Sequence, residues 1–353
     1  MVIDQSMGMT REEGIQTIYD GSSHVVILGA GASIAATCHN PELSGKKLPS
    51  MENFIEVVGL TDIIDAAGTS GESGNFEEVY SRLYARAPCS RAVSKIEKRV
   101  ASYFRSLTLP PTPTIYDYLL LALRPKDLVA TFNWDPFLYQ AFSRNRHVGG
   151  MPYLSFLHGS VSIGYSTEDQ KAGPAGGISR STGHQWIPTR LLYPVTRKDY
   201  NNDEFIAREW NRLKQWLKRA SRITIFGYGA PETDVEAIDL MRGAWGEPSQ
   251  RNLEQIEMID IQPKDVLTQR WRQFIYPGHY DYCTSYFESI LAFYPRRTGE
   301  SYMQGNFPST PAEALQEPNP IPERFDTLDA IWEWHQPLIE AENQREASQQ
   351  EDS

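Results

Sequence analysis

Short apolar runs rich in β-branched residues recur along the chain, and each stops at a glycine or a polar residue. Five such runs have the length and composition of buried strands: residues 24–28, 127–132, 153–157, 222–226 and 256–261. Segments with helical spacing of apolar residues separate them. Strands that alternate with helices favour parallel pairing with helices on both faces. The pattern therefore predicts an α/β fold built on a doubly wound parallel sheet, with 256–261 as its last strand.

Apolar residues at helical spacing mark the intervening segments. Thr10 with Glu13 has the spacing of a capping box and predicts a short first helix, and Asn75 with Glu78 predicts another helix start. Between about 40 and 124 every strong pattern is helical, which predicts a helical insertion over the sheet. Further helices are predicted over 136–142, 203–220 and 234–245.

Two segments have the composition of irregular structure. Residues 166–184 are rich in Gly, Ser and Thr and predict a loop or mobile flap. From residue 294 the texture changes to Pro, Glu and Gln, so we expect a main domain over 1–293 and a C-terminal tail over 294–353. In that tail we expect an extended linker, then a short amphipathic helix from Leu328 that Pro337 interrupts, and ten disordered residues at the end.

The net charge of −11 is concentrated in the tail, because residues 311–353 hold eleven acidic side chains against two arginines. The body is therefore nearly neutral and lacks the basic face of a protein that binds duplex nucleic acid. No apolar run approaches the roughly 20 residues that span a bilayer. The N-terminus shows no secretory pattern, and three widely separated cysteines suit a reducing compartment. We expect a cytoplasmic protein with no membrane association.

A glycine turn follows the first predicted strand, at Gly29-Ala30-Gly31-Ala32-Ser33. Small residues between a strand and a helix let the backbone approach a phosphate, and the helix N-terminus offers free N–H donors. The turn departs from the dinucleotide fingerprint G-x-G-x-x-G, because Ile34 occupies the third glycine position. The same turn also suits an ordinary tight strand-to-helix connection.

Polar residues follow the next two strands. Asn133 and Asp135 lie in the stretch TFNWDP at 131–136, and His158 lies in LHGS at 157–160. Asp135 before Pro136 is also typical of a helix N-cap, Asn133 of a turn, and His158 of a structural strand end. Because parallel strands end at one edge of a sheet, where ligands bind in this architecture, we expect these side chains to lie together.

Later strand ends add to the same edge. Gly227-Tyr228-Gly229 follows the fourth strand, with Glu232 and Asp234 close behind, and Asp260 ends the fifth. The glycines permit close backbone approach, Asp234 suits either a helix cap or a ligand contact, and Asp260 can accept hydrogen bonds from a ribose.

Together these segments resemble the sirtuin-like superfamily, in the branch found in bacterial NAD-consuming defence proteins. GAGAS at 29–33, TFNWD at 131–135, LHG at 157–159 and GYG…TD at 227–234 match its motifs in order and spacing, and NFEEVYSRL at 75–83 resembles its helical insertion. The resemblance spans about residues 20–290. It implies a Rossmann-like fold with NAD bound across the sheet edge as substrate.

The resemblance also implies roles for individual residues. Asn133 and Asp135 would lie near the nicotinamide and its ribose, with His158 as the base. The remaining implied NAD contacts are Gly29, Ala30, Gly31, Ala32, Ser33, Thr131, Gly159, Gly227, Tyr228, Gly229, Asp234 and Asp260, of which Gly227, Tyr228 and Asp234 would serve the adenosine half.

Two departures separate this chain from the sirtuin deacylases. No C-x-x-C pair occurs, and three cysteines cannot supply the four thiolates of the deacylase zinc module, so no zinc is expected. The deacylase pattern G-I-P-D-F-R is also absent after GAGAS. Water then becomes the expected acceptor, which implies an NAD glycohydrolase that yields nicotinamide and ADP-ribose, in a bacterial system that depletes NAD on phage infection.

Two other functions stay open. One is a nucleotide-binding sensor without turnover, and the other is NAD-dependent protein deacylation or ADP-ribosyl transfer. Because an unrestrained NAD hydrolase is toxic, the resemblance further implies restraint by a homo-oligomer, a ligand or a partner such as a ring-forming ATPase. The acidic tail is a candidate contact surface.

Overall fold

A computed structural model of the protein describes residues 10–38, 46–68, 74–195, 200–230, 234–251, 253–307 and 318–351. Its strands in chain order are β1 (Ser23–Leu28), β2 (Leu128–Thr131), β3 (Tyr153–Phe156), β4 (Ile163–Ser166), β5 (Lys171–Pro174), β6 (Ile187–Pro188), β7 (Ala220–Phe226), β8 (Gln255–Ile259) and β9 (Tyr280–Cys283).

Six of these strands form the central sheet in the order β3-β2-β1-β7-β8-β9, and every neighbouring pair is parallel. The chain builds outward from β1 to β3, then crosses to the other side of β1 and builds outward again. The doubly wound, Rossmann-like parallel sheet is therefore confirmed. Its topological switch point lies between β1 and β7, where this architecture opens a crevice at the carboxyl ends of the strands.

The helices flank this sheet. They are α1 (Arg11–Gln16), α2 (Ala30–Cys38), α3 (Phe54–Val58), α4 (Thr61–Ala66), α5 (Phe76–Arg86), α6 (Arg91–Arg105), α7 (Ile115–Leu121), α8 (Phe137–Asn145), α9 (Glu204–Arg219), α10 (Val235–Trp245), α11 (Lys264–Trp271), α12 (Ile290–Phe293), α13 (Thr298–Asn306) and α14 (Leu328–Glu351). The described residues between 46 and 124 form helices and loops only, as their periodicity predicts. No described helix has both the length and the apolar character needed to cross a bilayer.

Local sequence explains where the helices begin. Thr10 and Glu13 form the predicted capping box of α1, and the side chains of Asn75, Ser90 and Asp203 accept backbone N–H groups at the starts of α5, α6 and α9. The sheet itself is buried on both faces, since every residue of β1, β2 and β7 is buried. Continuous apolar runs are typical of such strands.

The predicted loop over 166–184 is wrong in part, because β5 lies within it and pairs with β4, which also pairs with β6, in a small antiparallel sheet. Gly173 in this segment instead makes room for a tryptophan. A Cβ atom on Gly173, or on Gly164 just before the segment, would collide with Trp186. Composition alone does not distinguish a glycine in a turn from a glycine under an aromatic ring.

Two further predictions differ from the structure at the C-terminal end of the sheet. The strand β8 is not the last, because β9 adds a four-residue edge strand, YDYC, whose short length and single Asp give no long apolar run. Helix α14 also passes through Pro337 and reaches Glu351, so the expected interruption and disordered end are wrong over those residues. Buried Ile331, Leu338 and Glu342 on one face of α14 hold it against the core.

Candidate active site

The carboxyl ends of β1, β2, β3 and β7 surround one cavity of about 420 Å³. The predicted residues that line it are Gly29, Ala30, Asn133, Asp135, His158, Gly227, Tyr228, Gly229 and Asp234. The ends of β2 and β3 thus bring the amide of Asn133, the carboxyl of Asp135 and the imidazole of His158 to one cavity. The parallel direction of the strands explains this convergence, because it places all their carboxyl ends at one edge.

The glycine turn after β1 packs directly on the turn after β7. A Cβ atom on Gly29 or Gly31 would meet the backbone of Gly227, and Gly31 N donates a hydrogen bond to Gly227 O at 3.0 Å. Gly227 itself has a φ of +60°, a conformation that favours glycine. The close approach allowed by these glycines is therefore a backbone-to-backbone contact across the switch point.

A buried polar network anchors Asn133. Its Nδ2 donates to Gly29 O at 2.7 Å and to Ser33 Oγ at 2.9 Å. Ser33 Oγ also accepts from Tyr116 OH at 2.6 Å and donates to Asp135 Oδ2 at 2.7 Å. Because the amide nitrogen is held by the protein, the Oδ1 atom of Asn133 is left as its acceptor toward the cavity.

Asp135 serves the fold and the network at once. Its Oδ1 accepts from the N of Phe137, the first residue of α8, at 3.0 Å, and its Oδ2 accepts from Ser33 Oγ. Burial raises the pKa of this carboxyl to about 6, although the hydrogen bonds from Ser33 and Phe137 lower it. The N-cap of α8 is Pro136, one residue later than the predicted Asp135, and Asp135 lines the cavity.

His158 is buried among aromatic rings at the end of β3. Its Nε2 lies 3.4 Å from Tyr200 OH, and its ring meets Phe132 edge-on with centroids 4.8 Å apart. The carbonyl of His158 accepts from Leu192 N at 3.0 Å, which ties the strand end to the loop that follows β6. The imidazole is therefore fixed in orientation on the wall of the cavity.

The first cavity has more aromatic surface than the sequence motifs indicated. Tyr228 stacks on Phe132 with centroids 4.2 Å apart and planes 9° apart, and its hydroxyl donates to Asp234 Oδ2 at 2.8 Å. The remaining wall residues, which were not predicted as site residues from the sequence, are Leu48, Pro49, Met51, Phe54, Asn75, Glu77, Phe104, Phe132, Trp134, Leu192, Pro194 and Arg270. Of these, Phe132 and Trp134 flank Asn133 in TFNWD, and Asn75 and Glu77 lie in NFEEVYSRL, so two of the quoted motifs held a signal for them.

A second cavity, of about 800 Å³, lies across the glycine turn from the first. Gly31 and Gly227 line it, together with Asp260 after β8 and Thr284 and Ser285 after β9. Asp260 Oδ1 accepts from Gln262 N at 2.9 Å, and the residue is half-buried. Gly227 belongs to both cavities, so the two meet at the switch point.

The structure separates some residues that the resemblance grouped. Tyr228 and Asp234, expected with the adenosine half, line the first cavity with Asn133 and His158, whereas Asp260 lines the second. Glu232 lies outside the described residues. The linings of both cavities leave out Ala32, Ser33, Thr131 and Gly159, all of which are buried.

These four residues have structural contacts. Ala32 is in the core, and Ser33 joins the network described above. Thr131 Oγ1 accepts from Asn133 N at 3.0 Å. A Cβ atom on Gly159, which has a φ of +75°, would meet Arg190 O. In the described parts of the chain, no three His, Cys, Asp or Glu side chains form a cluster that could hold a metal ion.

Comparisons with known proteins find likenesses among solved structures alone. A Sir2 homologue mutant in complex with ADP-ribose is 14% identical, with 74% of this chain and 94% of that chain covered and a TM-score of 0.37. A Sir2 homologue in complex with NAD is 15% identical, with 77% and 86% covered and a TM-score of 0.36. A sirtuin studied for its substrate affinity is 12% identical, with 76% and 90% covered and a TM-score of 0.38. No family model and no curated protein matches the chain.

Proposed function

We propose that this protein is an NAD glycohydrolase, which cleaves NAD with water to nicotinamide and ADP-ribose. One observation carries the proposal: Asn133, Asp135 and His158, from the ends of β2 and β3, line a single cavity beside the glycine turn at the switch point. The order of the sequence motifs supports the same substrate, and the solved structures of similar proteins in complex with NAD and ADP-ribose agree with it.

The reaction breaks the N-glycosidic bond between nicotinamide and ribose. Nicotinamide leaves with the electron pair, positive charge develops on the sugar, and water adds to the ribose carbon with loss of a proton. The site must therefore hold the leaving group, orient the water and accept that proton.

Three residues suit these tasks. The Asn133 Oδ1 atom, oriented by Gly29 and Ser33, can accept a hydrogen bond from the attacking water or from the nicotinamide amide. His158 is the base that accepts the proton from water or from a ribose hydroxyl. Both oxygens of Asp135 bind protein groups, so we assign it as a positioning residue that acts through Ser33.

The two cavities match the two halves of a dinucleotide. We place the nicotinamide riboside in the first cavity, which holds Asn133 and His158, and the adenosine in the second. The diphosphate would then cross the Gly29–Gly31 turn at the switch point, where doubly wound folds bind such ligands. In this arrangement Tyr228 and Asp234 serve the nicotinamide side, and Asp260 serves the adenosine ribose.

The test is nicotinamide release from NAD by the purified protein. Asn133→Ala and His158→Ala should each lower kcat at least about 100-fold. Asn211→Ala and His184→Ala are matched controls on the exposed surface and should retain wild-type rates. Release that persists in both site variants would place the reaction elsewhere, and absence of release by the wild type would favour the sensor. Release that requires an added peptide would favour deacylation or ADP-ribosyl transfer.

We further propose that the activity serves antiphage defence by NAD depletion, on the motif order described above. A homo-oligomer, or a partner such as a ring-forming ATPase, would restrain the enzyme until infection. Cells that carry the wild-type gene with its neighbouring genes should lose NAD after phage infection, and His158→Ala should abolish that loss. Unchanged NAD in infected cells, with an active purified enzyme, would contradict the defence role and leave the hydrolase intact.

A further inference from the structure

The second cavity is completed by a segment from the far end of the chain. Residues 323–326 line it beside Gly31, Asp260 and the residues after β9. These four residues lie between β9 and α14 in sequence and belong to none of the motifs that mark the strand ends. The tail that composition set apart from the main domain thus contributes directly to a cavity at the edge of the sheet.

Contacts on both sides hold this segment in place. Before it, Ile321 is buried, and its N donates to Ala292 O at 2.9 Å. Within it, Tyr118 OH accepts from Phe325 N at 3.1 Å and donates to Glu323 O at 3.3 Å. After it, Trp332 Nε1 of α14 donates to Asn145 Oδ1 at 2.6 Å. The segment therefore forms a preorganised wall, with its backbone tied to the insertion and to the core.

The chemistry of the cavity suits a nucleoside. Phe325, Phe287 and Tyr118 form an aromatic group, with ring centroids of Tyr118 lying 5.2 Å from Phe287 and 5.9 Å from Phe325. Aromatic faces bind the planar surface of a base. The Asp260 carboxylate at the end of β8 can accept hydrogen bonds from the vicinal hydroxyls of a ribose. Phe325 is half-buried and lines the cavity, where a ligand would meet it.

We propose that residues 323–326 form the outer wall of an adenylate-binding subsite, in which Phe325 contacts the base and Asp260 the ribose. The inference rests on the proposed function, because that function places the adenosine in the second cavity. It adds that affinity for the dinucleotide depends on the C-terminal segment, whereas bond cleavage depends on the first cavity. Phe325 is accordingly a binding residue with no part in the reaction at the nicotinamide ribose.

The direct test is calorimetric titration of the full chain with AMP, which presents the adenylate half alone. Phe325→Ala should raise the Kd for AMP about tenfold, the effect expected for loss of one base-stacking ring. Phe325→Tyr retains the ring and should retain the affinity. Phe307→Ala removes an exposed phenylalanine that lines neither cavity and is the matched control. Thermal melting of each variant checks that the fold is intact.

A kinetic readout separates the two cavities. Phe325→Ala should raise KM for NAD and leave both kcat and the cleavage of nicotinamide mononucleotide unchanged, because that substrate lacks the adenylate. Wild-type protein that fails to bind AMP, or Phe325→Ala that binds it as tightly as wild type, overturns the subsite. If the wild-type protein releases nicotinamide but does not bind AMP, the hydrolase stands and the subsite is rejected. If the wild-type protein binds AMP, Phe325→Ala loses that binding, and no nicotinamide is released, the subsite stands and the hydrolase is rejected.

Discussion

At the residue scale, the arrangement around Asp135 shows how the site is held together. Four side chains from three segments of the chain share hydrogen bonds, with the buried Ser33 Oγ at the centre. The carboxyl of Asp135 is fully buried, and burial raises its pKa to about 6. A buried carboxylate lowers the stability of the folded protein. Here the same carboxylate holds Ser33, and Ser33 in turn orients the amide of Asn133.

The first prediction concerns Asp135→Asn. The folded-state pKa of about 6 lies above the ordinary aspartate value of 3.8, so between these pH values the folded protein keeps a proton that the unfolded chain has lost. Stability therefore falls as pH rises through this window, by about 3 kcal/mol for a shift of this size. We expect Asp135→Asn to melt at or above the wild-type temperature at pH 7.5, with this advantage gone near pH 4, while its NAD cleavage drops at least about tenfold.

Melting curves of the two proteins from pH 4 to 8 measure this difference directly. Because other buried acids titrate equally in both proteins, the difference isolates Asp135. A variant that is less stable than wild type at pH 7.5 would contradict the assigned cost.

The second prediction concerns Tyr116, which the motif analysis did not identify. Its hydroxyl donates to Ser33 Oγ at 2.6 Å and also lies 3.4 Å from Asn133 Nδ2. Tyr116→Phe removes one hydrogen bond, worth about 1 kcal/mol, while the ring keeps its packing. We expect kcat for NAD to fall about fivefold with KM unchanged, since the loosened network orients Asn133 less well. Tyr139→Phe removes a hydroxyl outside this network and should leave kcat unchanged.

At the element scale, the contact between the turns after β1 and β7 creates the switch point. Gly227 sits so close to Gly31 and to Ala32 N that neither turn has room for a side chain between them. This contact separates the two cavities and gives each its own wall. Adding a single Cβ atom at Gly227 should therefore displace the walls of both cavities.

The third prediction compares alanine substitutions at two glycines, one at the switch point and one in α10. Gly227→Ala adds a Cβ at a φ of +60° against the neighbouring backbone, and it should destabilise the fold by about 2 kcal/mol or more and reduce NAD cleavage. Gly243→Ala in α10 adds a Cβ with no heavy atom within 4 Å, and it should stabilise by about 0.5–1 kcal/mol. Urea unfolding of both variants measures the change in the free energy of unfolding and its sign for each. Equal changes in the two variants would show that Gly227 does not lie against the backbone of Gly31 in solution.

At the scale of the whole molecule, α14 is joined to the core by buried charges. Glu342 binds Arg296 at 2.5 Å and Arg297 at 2.6 Å, and all three side chains are buried. Burial alone would raise the pKa of Glu342, but the two arginines hold it below its usual value. Because α14 follows the segment that lines the second cavity, this ion cluster also helps to hold that segment, and with it the proposed adenylate subsite, in place.

The fourth prediction is that Glu342→Gln destabilises the protein by about 3–5 kcal/mol at pH 7.5, because it removes the carboxylate that pairs with the buried guanidinium groups of Arg296 and Arg297. Glu340→Gln on the exposed side of α14 should change stability by less than about 0.5 kcal/mol. The folded-state pKa of Glu342 is depressed, so its contribution is present above the unfolded pKa and is lost as pH falls through the folded pKa. The gap between wild type and Glu342→Gln should accordingly narrow in acid, and a gap that widens would contradict the ion cluster.

The sequence by itself determined the parallel sheet and the edge of that sheet at which the candidate site residues lie. Apolar runs, helical spacing and caps such as Thr10 and Asn75 are local features, and local features were enough to predict most strands and helices. Asn133 and His158 could be placed together because parallel strands all end at one edge. The exceptions were β4 to β6, the edge strand β9 and the length of α14, where glycine, charge and Pro337 concealed the local pattern.

Only the tertiary structure decided which strand ends face each other. The order β3-β2-β1-β7-β8-β9 divides the edge at the switch point, and it puts Tyr228 and Asp234 with His158 but Asp260 in the other cavity. Tyr116 joins the Ser33 network, and Phe325 the second cavity, through packing between segments that are distant in sequence. The periodicity of apolar residues indicates whether a residue is buried, but it does not indicate which residues it packs against. The partners of a buried residue depend on the strand order and on the packing of whole elements.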